Sequence, residues 1–158
     1  MYFSRNDLKK NLKGDNRMTD RTRKHAGWLI IILPTVIYGG TSLLSLLIDS
    51  GSSYHENPLR RDLWRAGHAH AGILLLLTLV LLLYVDRARL SEGWKSFVRS
   101  AVPASAIFLP AGFFLSVLSP AATEPNALIY LAYVGALSLA AGLLVLGIGL
   151  IRGQHVKE

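Results

Sequence analysis

Residues 66–85 read AGHAHAGILLLLTLVLLLYV, twenty positions with no acid, lysine or arginine and, beyond residue 72, only Thr78 and Tyr84 interrupting the aliphatic run. An α-helix rises about 1.5 Å per residue, so about twenty apolar residues cross a hydrocarbon core about 30 Å thick. Three further blocks have the same length and character, at 28–48, 98–118 and 127–151. Together they predict an all-α polytopic membrane protein, a four-transmembrane-helix bundle. Its divisions would be a basic tail over 1–26, a transmembrane domain over 27–151 and a short tail over 152–158. Too little chain remains for a water-soluble domain, which excludes a soluble globular enzyme.

The 158 residues are 51% hydrophobic yet carry seventeen Lys+Arg against ten Asp+Glu, a net charge of +7. Cysteine is absent, which removes disulfides, thiolate metal sites, Cys nucleophiles and covalent c-type haem attachment. The basic residues flank apolar blocks and accompany no groove-reading motif. Anionic lipid headgroups, met through the basic N-terminal tail, are therefore the expected partner, and nucleic acid is not. No cleavable signal peptide is visible, because the first apolar block is too long for an h-region and no small-residue cleavage site follows it. Met18 opens MTDRTRKHAGW, by itself a sufficient basic flank, so residues 1–17 read as an extension ahead of an alternative start.

Eight Lys and Arg precede the first block, four lie from Arg87 to Arg99 and two follow the fourth block, whereas the first connection has three and the third none. The positive-inside rule then puts both termini in the cytoplasm and the loops around 48–65 and 119–126 outside, with Trp94 as a cytoplasmic interface anchor. The expected location is a bacterial or archaeal plasma membrane. In the third block Pro103 and Pro110 predict a kink near Pro110. In the fourth, Ala132, Ala136 and Ala140 recur at a spacing that lets helices approach backbone to backbone.

Chemistry concentrates where the second block begins, at Arg60-Arg61-Asp62-Leu63-Trp64-Arg65-Ala66-Gly67-His68-Ala69-His70-Ala71-Gly72. His68 and His70 fall about 4.5 and 7.5 Å below Arg65 along a helix, just inside the outer hydrocarbon boundary, where ionisable groups usually face a protein interior or a cofactor. Residues two apart point about 200° from one another, so both rings cannot grip one metal, and no carboxylate stands beside them as a general base. A zinc clip and a metalloprotease are disfavoured.

Each ring is instead flanked by small residues. Ala71 and Gly72 lie a turn below His68, and Ala66 and Gly67 a turn above His70. Such a surface suits either a flat ligand or close helix packing, for which Gly67 and Ala71 have the spacing. A porphyrin needs an axial imidazole and cations for its propionates, which Arg61 and Arg65 supply. The plainer reading of the histidines is hydrogen bonding to loop carbonyls or to carboxylates such as Asp49 or Glu124.

Basic residues followed by a histidine at the outer start of the second span resemble the second transmembrane helix of subunit I of haem-copper oxidases and bacterial nitric oxide reductases. A similar H-x-H occurs in small uncharacterised membrane families. The resemblance covers about residues 60–85. It implies that His68 or His70 is an axial ligand of b-type haem (haem b), that Arg61 or Arg65 meets its propionates, and that Gly67, Ala71 and Gly72 lie along the ring. The implied role is electron transfer or haem sensing.

The departures from that family are four spans where its subunit has about twelve, no histidine in a later span and no copper-ligand set. Met occurs only at 1 and 18, so a second axial ligand would come from His55 or another subunit, which makes a homo-oligomer part of this expectation. The alternative is a non-catalytic accessory subunit packed against a larger membrane complex. A proton pathway is weakened because, apart from the histidines, the blocks hold almost no ionisable group. No catalytic residue is assigned. Tyr38, Tyr130 and Tyr133 read as packing and interface anchors, Phe113 and Phe114 should lie at the depth of the histidines, and Tyr54, His55 and Glu56 read as an exposed polar cluster.

Overall fold

A computed structural model describes residues 18–52 and 54–152. Over these residues it is all helical: α1 (Asp20–Ile48), α2 (Pro58–Val85), α3 (Glu92–Ser116), a short 3-10 turn (Ala127–Ile129) and α4 (Tyr130–Ile151). The four helices, the last counted with its 3-10 turn, are long and apolar enough to cross a membrane. The N-terminal tail before Met18 and His155 lie outside the described residues.

Three helices begin earlier than the apolar blocks, and for α1 and α2 the cause is capping. Thr19 accepts the Thr22 amide on its hydroxyl at 3.3 Å, which starts α1 at Asp20, inside the stretch read as tail. Asn57 accepts the Arg60 amide at 3.0 Å and Pro58 fills the first helical position, so the connection expected to reach residue 65 is helical from 58 onward. Bilayer thickness selects the apolar part of a helix, whereas caps decide where the helix starts. α3 starts at Glu92 after Ser91 and runs unbroken through both prolines to Ser116, two residues short of its expected end.

The helices pack in chain order, α1 on α2, α2 on α3, α3 on α4, and the bundle stays open between α1 and α4. The tightest seam is α3 against α4. A Cβ on Gly112 would lie 2.5 Å from the Ala132 amide nitrogen, one on Gly135 2.6 Å from that of Leu109, and one on Gly142 2.6 Å from a Val102 methyl carbon. Gly135, Gly142 and Gly149, seven apart, therefore carry α4 against its neighbours. The alanine line expected to do so is corrected: Ala132 meets Gly112, but Ala136 and Ala140 are exposed.

The core is richest at the basic end of the bundle, where Leu82, Val85, Ala88, Val98, Val102 and Leu146 are buried. A buried Arg99, 2% exposed, closes that end. Its Nη2 donates to Asp86 Oδ1 at 2.6 Å and its Nε to Thr22 Oγ1 at 3.0 Å, while the Thr19 amide donates to Asp86 Oδ2 at 2.9 Å. This joins the start of α1, the end of α2 and α3. Burial pushes the Asp86 carboxyl up, but the Thr19 amide, Arg99 and Thr22 outweigh it and hold the group below the ordinary carboxylate range.

Candidate functional site at the histidine end

The opposite end of the bundle carries every residue singled out for chemistry. Asn57 fixes it from above, donating through Nδ2 to the Pro120 and Ala122 carbonyls at 2.9 and 2.8 Å while capping α2. Tyr54 sits beneath this loop, 2% exposed, its hydroxyl donating to the Arg61 carbonyl at 3.4 Å and its ring 6.1 Å from that of Trp64. Trp64 Nε1 donates to the Phe114 carbonyl at 3.3 Å, and the Arg60 guanidinium stacks on the indole at 3.9 Å. Burial raises the Tyr54 pKa, against the pull of Arg65 and Arg61.

Tyr54 is thus part of an aromatic cap, which corrects its expected place in an exposed polar cluster, while His55 and Glu56 are exposed as expected. His55 does not reach toward the other imidazoles; its Nε2 donates to the Leu47 carbonyl at 2.7 Å and closes the end of α1.

His68 and His70 take opposite faces of α2, as their spacing requires. His68 faces α1, where the Gly39-Gly40 pair receives it. A Cβ on Gly40 would lie 3.0 Å from both Cε1 and Nε2 of the ring, and one on Gly39 3.7 Å from Nδ1. His70 faces α3, its ring centroid 5.3 Å from that of Phe113, so the phenylalanine does lie at the histidine level. His70 Nδ1 lies 2.7 Å from the Ala66 carbonyl. A carbonyl only accepts, so Nδ1 is the donor, and in the neutral ring Nε2 holds the lone pair.

The small residues have been taken by neighbouring side chains. A Cβ on Gly67 would lie 3.0 Å from Phe114 Cε2, and one on Gly72 3.7 Å from a Val36 methyl carbon. Ala71 faces an apolar groove of about 640 Å³ between α1, α2 and α3, lined also by Trp28, Leu29, Val36 and Ala106, with Lys24 and His25 at its basic end. Neither His68 nor His70 lines that groove. Arg61 Nε lies 3.7 Å from Asp62, and Arg65 is exposed. Among the described residues no group of three or more His, Cys, Asp or Glu is arranged to hold a metal ion.

The histidine end therefore offers one oriented Nε2 lone pair on His70 and a half-buried His68 wedged between two helices. What the sequence reading missed is on α1 and at the opposite end. The glycine pair that seats His68 was visible as a pair, but its partner was not, and Arg99 and Asp86 were visible only as flanking charges. No family model matches this chain, and no curated protein or solved structure does.

Proposed function

We propose that this chain is a non-catalytic subunit of the membrane, spanning it four times with both ends cytoplasmic, and that its first helix is the surface by which it associates with a second copy or a larger complex. One observation carries the reading. The face of α1 turned away from α2 presents Tyr38, Thr41, Ser45 and Asp49, all exposed, along a shallow groove shared with Ser42 and Leu46. The hydroxyls of Thr41 and Ser45 are satisfied only by their own helix, at the Tyr38 and Thr41 carbonyls. Acyl chains offer such a face nothing, whereas another helix packs closely against Ser and Thr. The test is the mass of the purified particle in mild detergent. The account expects more than one chain in the native particle and a single chain in the Thr41→Leu/Ser45→Leu variant; a single chain in both overturns it.

A second reading, b-type haem held near the outer face, draws support from His70. Its Nδ1 proton is anchored on Ala66, the arrangement that presents Nε2 to a metal, and Arg61 and Arg65 stand on the outer side for propionates. Haem would supply reversible one-electron transfer. The donor chemistry fits one axial bond, through His70. The small-residue bed does not fit a ring lying on α2, since Phe113, Phe114 and Val36 occupy it and the His68 ring lies against Gly40. A visible spectrum of protein expressed with haem available decides between the readings: a Soret band lost in His70→Ala supports haem, and a colourless protein removes it.

A further inference from the structure

At the basic end, the connection between α2 and α3 folds back onto the end of α4. The Arg89 amide donates to the Gly149 carbonyl at 3.0 Å, and the Leu90 side chain fills the space that a Cβ on Gly149 would need. This contact leaves a hollow of about 330 Å³ bounded by Arg89, Ser91, Trp94 and Arg152 on its polar side and by Val145 and Ile148 on its apolar side. Neither guanidinium pairs with a described carboxylate. The nearby acid, Glu92, is turned to Lys95 at 3.2 Å and to Arg99 at 3.7 Å. Ser91, at the N-cap position, makes no side-chain capping bond to the start of α3.

We propose that this hollow binds an anionic phospholipid, its phosphate between Arg89 and Arg152 and one acyl chain along Val145 and Ile148. Two arginines bordering one hollow suit a phosphate, whose oxygens accept paired bonds from a guanidinium. The apolar wall selects a lipid over a soluble anion, and Trp94 is the residue type that settles at headgroup level. The site rests on the four-span reading and not on association through α1, because it lies at the far end of a different helix pair.

The test is native mass spectrometry of the protein released from mild detergent, with phosphatidylglycerol or phosphatidylcholine added at equal concentration. One phosphatidylglycerol should remain bound per chain, whatever the oligomer, and phosphatidylcholine should not. Arg89→Gln/Arg152→Gln should weaken retention about thirtyfold, about fivefold for each cation. Arg21→Gln/Arg23→Gln removes the same charge from the basic tail at the same end and should weaken retention by less than Arg89→Gln/Arg152→Gln does, and Arg89→Lys/Arg152→Lys should keep part of it. Excess glycerol 3-phosphate should not displace the lipid. Equal retention of both lipids, an equal loss in the Arg21/Arg23 control, or displacement by glycerol 3-phosphate overturns the proposal.

Discussion

The His68 imidazole rests against Gly40 so closely that a Cβ there would stand 3.0 Å from two of its ring atoms. Glycine at 40 thus gives α1 the shape that lets an imidazole pass between two helices. Larger side chains at 40 would push the ring or the helix aside. Gly40→Leu should cost about 1–3 kcal/mol through overpacking. Removing the ring should recover most of that loss, so unfolding of Gly40→Leu, His68→Ala and the double variant in detergent should show strong coupling. Additive losses would mean that ring and glycine are not in contact.

The α3–α4 seam gives a contrast within one residue type. At Gly112 and Gly135 an added methyl meets backbone nitrogen across the seam at 2.5 and 2.6 Å, and only a shift of a whole helix relieves it. Alanine at either position should destabilise by about 1–3 kcal/mol. At Gly147 nothing lies within 4 Å, so Gly147→Ala should be neutral or gain up to about 1 kcal/mol from helix propensity. Denaturation midpoints of the three variants check the ordering.

The Arg99–Asp86 pair predicts an acid-sensitive fold. Because the Asp86 carboxyl is held below its unfolded value, its contribution is fully present above about pH 4, the ordinary carboxylate pKa, and is lost as pH falls through the lower folded value. Asp86→Asn leaves the buried Arg99 charge with only the exposed Glu92 carboxylate, 3.7 Å away, and should cost about 3 kcal/mol at neutral pH. The same substitution should flatten the acid limb of a stability profile measured by thermal unfolding. An unchanged acid limb would remove Asp86 as its source.

Four helices were legible because each apolar block matches the bilayer in length, a property of local composition. Their beginnings were not, since Thr19 and Asn57 act from polar flanks that composition reads as loop. For α4, both Ala132-Ala136-Ala140 and Gly135-Gly142-Gly149 form plausible packing lines, and only the register against α3 decides for the glycines. The opposed directions of His68 and His70 followed from helix geometry alone. That His68 meets Gly39 and Gly40, and that Arg99 meets Asp86 and Thr22, depends on how helices align, which no single segment encodes.

The chain contains no cysteine, so the claim that α1 is an association surface can be read with one introduced thiol at a time. The decisive measurement is cross-linking in native membranes from a photoreactive group attached to the thiol at position 41, on the hydroxyl face of α1, compared with position 76, an exposed leucine on α2. Thr41→Cys is predicted to give a covalent species larger than the single chain, and Leu76→Cys to remain at its own mass. Cross-linking equal at both positions, or at neither, would contradict the account.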